Sequence, residues 1–293
     1  MKICAKNILE IQKKEKRKRN RKRIIGSVIL LFCLYRIVFS LFLMSSNIRV
    51  TAHRGSTQLA PENTIASVLE AIALDVDFIE IDVQLSKDSQ VFLLHDPSFK
   101  RVAKVDKRPR DLTYEEISQL NVGAYKARED AIDLITFSAP LLEDVIKVCI
   151  LSNVKLNVEL KDNGYGEELA EKVVVIIQEN DFVERCVVSS YSQRLLRRVK
   201  QLEPEIKVGL ITNSNAVTTY MKNNFVDFYS VRYVSLSPSI VMYAHSRNKE
   251  IHCWTPSTKV AIQAAIHAGA DNIITDNVEL TKFLIVSNRK KLD

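Results

Sequence analysis

The chain of 293 residues has no CxxC pair. Its five cysteines, Cys4, Cys33, Cys149, Cys186 and Cys253, show no metal-type spacing. That pattern argues against a disulfide framework, and it gives thiolate metal ligation no support. The three cysteines beyond the N-terminal region read as small buried hydrophobes. There is no internal repeat, and no low-complexity segment beyond a basic tail. Basic charge is also missing where nucleic-acid binding would need it. The formal net charge is +7, but residues 1–23 hold eleven Lys/Arg against two Glu, and Arg36 and Arg49 add two more cations. Residues 50–293 are therefore left at about −4, a mildly acidic body that excludes a nucleic-acid reading.

What is present begins with an anchor pattern. The basic block Lys13 to Arg23 is followed at once by an apolar run of 21 residues, Ile24 to Met44. A helix of that length spans roughly 30 Å, the hydrocarbon thickness of a bilayer. A cleavable signal has an apolar stretch of about 7–15 residues ending in small residues, and this run is longer and ends Phe-Leu-Met-Ser-Ser. Arg36 in mid-run costs roughly 3 kcal/mol on insertion scales, which its strongly apolar neighbours outweigh. The expectation is a basic cytoplasmic tail (1–23), an uncleaved single-pass transmembrane anchor (24–46) and a body (47–293) outside the cell membrane.

Within the body, strand-like runs alternate with helical ones. The strands are expected at 50–53, 78–83, 156–161, 186–190, 208–212, 227–232, 250–255 and 272–276. Helical patterns lie at 64–74, 141–151, 166–180, 192–202, 214–223, 237–248 and 259–268. Cap signals open several helices, with Asn63 before Thr64 and Ser257-Thr258 before the last. Eight strand candidates in strict alternation with helices predict an α/β fold, a TIM-type (β/α)₈ barrel. A hairpin over 83–94 stands above the rim, and if it folds symmetrically positions 82 and 95 lie opposite one another. Residues 97–139 form a long connection or small inserted lobe, with a Lys/Arg-rich stretch and one short helix near 113–120.

Working residues in such barrels sit at the C-terminal strand ends. Here those ends carry His53-Arg54-Gly55, Glu80 and Asp82 on one face of a strand, His95-Asp96, and Glu159 with Lys161. Acids, bases and imidazoles conflict with a branched apolar barrel interior, and such conflict marks function. Glu80, Asp82 and Glu159 offer hard oxygen ligands for one divalent cation, Ca²⁺ or Mg²⁺, rather than zinc. His53 and His95 can serve as general acid and base near neutral pH. Arg54 and Lys161 place fixed positive charge where a phosphate would sit. Together these are the tools for cleaving a phosphodiester. His245, His252 and His267 are read as structural.

His53-Arg54-Gly55, Pro61-Glu62-Asn63-Thr64, Glu80-x-Asp82, His95-Asp96, Glu159-x-Lys161, Trp254-Thr255 and the closing Gly269 to Asp276 resemble the glycerophosphodiester phosphodiesterase family. The likeness runs from about residue 48 to 285. It implies a barrel enzyme that uses a divalent cation to hydrolyse glycerophosphodiesters to an alcohol and glycerol 3-phosphate. By position it implies His53 and His95 as the acid–base pair, and Glu80, Asp82 and Glu159 as metal ligands. Arg54 and Lys161 would hold phosphate, and Trp254 would line the glycerol pocket. It also implies that the substrate's own glycerol hydroxyl attacks phosphorus first. Two places depart from the family pattern: Pro256-Ser257 stand where an apolar residue and Asn are usual, and residues 100–131 match only loosely. Two alternatives remain open: the same chemistry on a lysophospholipid or a glycerol-phosphate polymer, and an inactive anchored binding protein. Because the first strand starts close to the anchor, the catalytic face should point away from the bilayer, favouring soluble substrates.

Overall fold

The computed structural model describes residues 47–126, 136–213, 221 and 225–289, with a few isolated positions between 20 and 31. Most of the expected anchor, 24–46, and of the expected helix 214–223 lies outside the described residues. Among the described residues, no helix is long and apolar enough to cross a membrane. Residues 47–293 form one compact unit.

Among the described residues there are nine strands, most of them separated by helices: β1 (Arg49–His53), β2 (Phe78–Leu85), β3 (Val91–Leu93), β4 (Lys155–Leu160), β5 (Cys186–Ser190), β6 (Lys207–Thr212), β7 (Phe228–Arg232), β8 (Glu250–Trp254) and β9 (Asn272–Thr275). Eight of them are parallel. They run β1-β2-β4-β5-β6-β7-β8-β9, and β9 pairs back onto β1, so the ring closes. β3 lies outside the ring, antiparallel to β2, and continues the hairpin above the rim. Its register pairs Val83 with Leu93, and the amide of Leu94 donates to the carbonyl of Asp82. Asp82 therefore faces Leu94, not His95. The one-residue shift follows from a tight turn in which Ser86 and Gln90 close on each other and Ser89 takes a left-handed conformation.

Strand period sorts the side chains. Ile79, Ile81, Val83, Val158 and Val188 face outward and pack against the surrounding helices in one continuous apolar layer, which also takes in Cys149, Cys186 and Cys253. The alternate positions face inward. A small apolar plug of Phe78, Val187 and Phe228 fills the lower barrel. Gly209 makes that plug possible, because a Cβ there would overlap the Phe228 ring. His252 lies in this interior, only 1% exposed, with its ring stacked on Phe228 at 4.0 Å. Its structural reading agrees with that position.

The helices are α1 (Ile65–Ala73), α2 (Lys100–Ala103), α3 (Tyr114–Ser118), α4 (Leu142–Ile150), α5 (Glu168–Glu179), α6 (Gln193–Leu202), α7 (Pro238–His245), α8 (Lys259–Ala268) and α9 (Val278–Arg289). Thr64, not Asn63, caps α1, through a reciprocal capping box with Ser67. Thr258 alone caps α8, and Gly269 ends it in the left-handed conformation that glycine adopts without a Cβ clash. Asn63 and Ser257, expected near those caps, are turned toward the site instead. At the N-terminal end of the barrel a carboxylate clasp recurs. Asp77, Asp227 and Asp271, each just before a strand, accept the amides of Val50, Val208 and Ile251 on the neighbouring strand at 2.7, 2.8 and 2.7 Å. Each clasp ties two parallel strands where no hairpin joins them.

The connection after β3 carries its own apolar cluster of Phe92, Leu94, Phe99, Val102, Ile117, Val122 and Ala139, with the Phe92 and Phe99 rings stacked at 6.0 Å. It holds α2, a single 3-10 turn at Pro109–Asp111 and α3. This lobe sits over one side of the C-terminal rim.

Candidate active site

The strand pairings bring the expected residues to one end of the ring. His53 is in register with Glu80, and Asp82 with Glu159. Seven of the eight expected residues, His53, Arg54, Glu80, His95, Glu159, Lys161 and Trp254, line one cavity of about 80 Å³. The eighth, Asp82, is 1% exposed and lies beneath it. On the far wall the Tyr191 and Trp254 rings meet edge-to-face at 6.4 Å.

The turn after β1 shapes the acidic centre. Arg54 and Gly55 both have positive φ, 56° and 80°, so the chain reverses immediately beyond His53. A Cβ at position 55 would collide with Ser67, which explains the glycine. The reversal aims the Arg54 amide at Glu80 Oε2, 2.9 Å away. The guanidinium reaches Asp82 Oδ2 at 3.3 Å and Glu62 Oε1 at 2.9 Å. Asn63, also at positive φ, grips Asp82 twice: its Nδ2 donates to Oδ2 at 2.8 Å, and its Oδ1 accepts the Asp82 amide at 3.1 Å. Lys161 pairs with Asp82 Oδ1 at 2.8 Å and with Glu159.

Ligand atoms of Glu80, Asp82 and Glu159 all lie within 4.8 Å of one another. Their charges are unequal. Burial and the neighbouring Asp82 push the Glu80 carboxyl up to about 8. Burial raises Glu159 as well. For Asp82 burial opposes ionisation, but Lys161 and Arg54 outweigh it and hold the carboxyl well below its usual range. Glu80 Oε1 is buried without a hydrogen-bond partner among the described residues. Crowded carboxylates with an orphaned oxygen fit a divalent cation, and an all-oxygen donor set suits Ca²⁺ or Mg²⁺.

Each imidazole is held from behind by a carboxylate. His53 Nδ1 lies 2.7 Å from Asp276 Oδ1, and His95 Nδ1 lies 2.7 Å from Asp96 Oδ1. With Nδ1 engaged in both rings, Nε2 is left for chemistry. The carboxylates differ in their other partners. Among the described residues, Asp276 takes hydroxyl donors besides His53: Ser257 at 3.1 Å and Thr57 at 3.4 Å. Asp96 takes the Arg101 guanidinium at 2.6 and 3.2 Å. The same guanidinium from α2 forks onto Glu62 at 2.8 and 2.6 Å and rests 5.6 Å over the Tyr125 ring. Burial opposes protonation of His53, yet the Asp276 hydrogen bond and Glu80 bring its pKa above the ordinary value. Burial lowers that of His95, with Lys161 and Arg54 adding to the effect.

Asp276 and Arg101 carry no role in the sequence, Asn63 and Ser257 stand there only as cap signals, and Glu62 appears only inside a motif. Asp276 and Glu62 stood within segments already quoted, so their signal was visible without being interpretable. Arg101 stood in the loosely matching stretch and gave none.

A sequence model described as the glycerophosphoryl diester phosphodiesterase family matches residues 53–280. The chain is 32% identical over 233 residues to a glycerophosphodiester phosphodiesterase of Caldanaerobacter subterraneus subsp. tengcongensis, covering 78% of this chain and 94% of the relative. In fold it is similar to an Oleispira antarctica phosphodiesterase solved with the product sn-glycerol-3-phosphate, with a TM-score of 0.74, 25% identity and coverage of 81% and 96% of the two chains. A Silicibacter pomeroyi structure, described as a putative glycerophosphoryl diester phosphodiesterase, shares the fold with a TM-score of 0.76 at 20% identity, over 84% and 95% of the chains. The chain belongs to the glycerophosphoryl diester phosphodiesterase family.

Proposed function

We propose that this protein hydrolyses glycerophosphodiesters to an alcohol and glycerol 3-phosphate, with His53 and His95 moving protons on opposite sides of one phosphorus. The observation that carries this reading is the pair of carboxylate-backed imidazoles at one cavity, with three clustered carboxylates, Glu80 and Glu159 in its wall and Asp82 beneath. Glu80, Asp82 and Glu159 would hold one divalent cation, which when bound neutralises charge building on the phosphate oxygens. Arg54 and Lys161 add fixed positive charge for those oxygens, and Trp254 with Tyr191 walls the glycerol side.

The partners of the two imidazoles suggest their roles. Asp276, contacted otherwise by hydroxyls, keeps its negative charge on His53 and makes Nε2 the better base. It takes the proton of the attacking hydroxyl. Asp96 shares its charge with Arg101, so His95 releases a proton from Nε2 more readily, to the oxygen of the departing alcohol. The P–O bond to that alcohol breaks as the new one forms. Where the attacker is the substrate's own hydroxyl, the two residues exchange roles when water opens the cyclic ester. The test is cation-dependent release of glycerol 3-phosphate by the purified protein. Full activity of a His53→Ala or His95→Ala variant would remove this mechanism.

We further propose that the chain is a single-pass protein of the cell membrane, tail cytoplasmic and barrel outside. The apolar run Ile24 to Met44 behind its basic block supports it. Extraction of the full-length chain from membranes by alkaline carbonate alone would argue against the anchor.

A further inference from the structure

The densest run of cations in the body is residues 100–110, six Lys/Arg against the single Asp106. The rest of the body is correspondingly more acidic, and none of the roles above uses Lys107 or Arg108. In the fold the last part of this run, Asp106 to Arg110 with its three cations, lines a cleft of about 670 Å³ together with Asp111, Asn163 and Tyr165. The cleft shares its frame with the catalytic rim. Pro97 in its wall directly follows Asp96, the residue that holds His95. Asn163 donates to Gln84 at 2.8 Å, and the Gln84 amide donates in turn to the Asp96 carbonyl at 2.7 Å.

The charges of the cleft are unevenly spent. Lys100 takes Asp106 at 2.9 Å, and Asp111 accepts the Arg108 amide at 3.4 Å. Arg110 donates to the Asn163 carbonyl and stands 5.4 Å over the Tyr165 ring. Lys107 and Arg108 side chains pair with no carboxylate among the described residues, and both are exposed. The cleft thus keeps positive charge in reserve, while the one aromatic face in its wall is already covered by a guanidinium.

The catalytic cavity, at about 80 Å³, encloses only a small group, so the alcohol half of a diester must extend over the rim. We infer that the lobe cleft receives that alcohol, on the His95 side, and selects alcohols bearing a further phosphate over cationic ones. Lys107 and Arg108 supply charge to such a phosphate. A quaternary ammonium would need open aromatic faces, and here it meets cations. The inference rests on the phosphodiesterase reading and adds the substrate class to it.

The test compares two substrates with the full-length protein: glycerophosphocholine, and a glycerol-phosphate dimer in which the leaving glycerol is itself phosphorylated. The Lys107→Ala/Arg108→Ala variant should raise KM for the dimer about tenfold, as loss of two solvent-screened charge contacts implies, and leave glycerophosphocholine kinetics and the melting temperature unchanged. The wild-type preference for the dimer should shrink as salt rises from 20 to 500 mM. An equal change for both substrates, or no change for either, overturns the proposal. Equilibrium binding of the dimer in EDTA separates this from the parent reading. If the wild type turns over neither substrate, the phosphodiesterase reading fails. The cleft is then decided by whether dimer binding exceeds glycerophosphocholine binding and falls in the variant.

Discussion

Asp276 Oδ1 lies 2.7 Å from His53 Nδ1, across 223 residues of sequence. The contact exists because β9 closes the ring onto β1, placing the residue that follows β9 beside the last residue of β1. It fixes which nitrogen of His53 faces the substrate. Asp276→Asn should therefore lower kcat by about 10²-fold or more, within the usual contribution of general acid–base catalysis, with little change in KM. Ser257→Ala removes one hydroxyl from the same carboxylate and should cost about two- to tenfold in kcat, the worth of one hydrogen bond. Ser257→Thr should recover most of the loss. Nitrogen NMR of the His53 ring provides a readout independent of turnover: the Nδ1–H form should lose population in Asp276→Asn.

Arg101 connects the inserted lobe to both halves of the machinery, through Asp96 behind His95 and through Glu62 behind Arg54. Arg101→Ala should depress kcat about tenfold or more with a modest fall in melting temperature. Arg101→Lys should rescue little, because an ammonium lacks the planar guanidinium edges that meet Asp96 and Glu62 with two N–H···O contacts each. A lysine variant with wild-type kcat would show that the lobe merely covers the site.

The crowded carboxylates should make the folded state answer to divalent cations. At a concentration of a hundred times Kd, Ca²⁺ or Mg²⁺ should stabilise the protein by about 2.7 kcal/mol. For a barrel of this size that is a rise of roughly 5–10 °C in melting temperature. Glu159→Gln should reduce the shift. Absence of any cation-dependent shift in the wild type, measured by calorimetry, would contradict a metal site at Glu80, Asp82 and Glu159.

Far from the site, His245 at the end of α7 holds Asp271 Oδ2 at 2.8 Å, and that oxygen also clasps the Ile251 amide. The Asp271 hydrogen bond raises the His245 pKa above 6.5. A raised folded-state pKa means that the stabilisation is full below the unfolded value and fades as pH rises through the folded one. His245→Gln should thus lower the melting temperature more at pH 5.5 than at pH 9, with kcat unaffected. An equal loss at both pH values would show that the charge contributes nothing.

Period-two alternation was enough to put Glu80 with Asp82, and Glu159 with Lys161, on one side of their strands. Side-chain direction along a strand is a local property of the backbone. The eight strand runs and seven of the helices were legible for the same reason, since each must hide an apolar face. Cap chemistry was legible only in part. The sequence offers Asn63 and the pair Ser257-Thr258 as cap signals; Thr258 does cap its helix and Thr64 rather than Asn63 caps the other, while Asn63 turns to Asp82 and Ser257 to Asp276. Nothing local distinguishes those outcomes, because both satisfy the same donors and acceptors. The hairpin register, shifted by one residue, was settled by its turn. The contacts that tune the imidazoles, Asp276 on His53 and Arg101 on Asp96 and Glu62, depend on ring closure and on how the lobe packs over the rim. Local pattern sets which strands form, which faces they show and which chemical groups reach the rim. How each imidazole is backed is a matter of long-range packing, because Asp276 on His53 and Arg101 on Asp96 come from elements that meet when the barrel closes and the lobe folds over its rim.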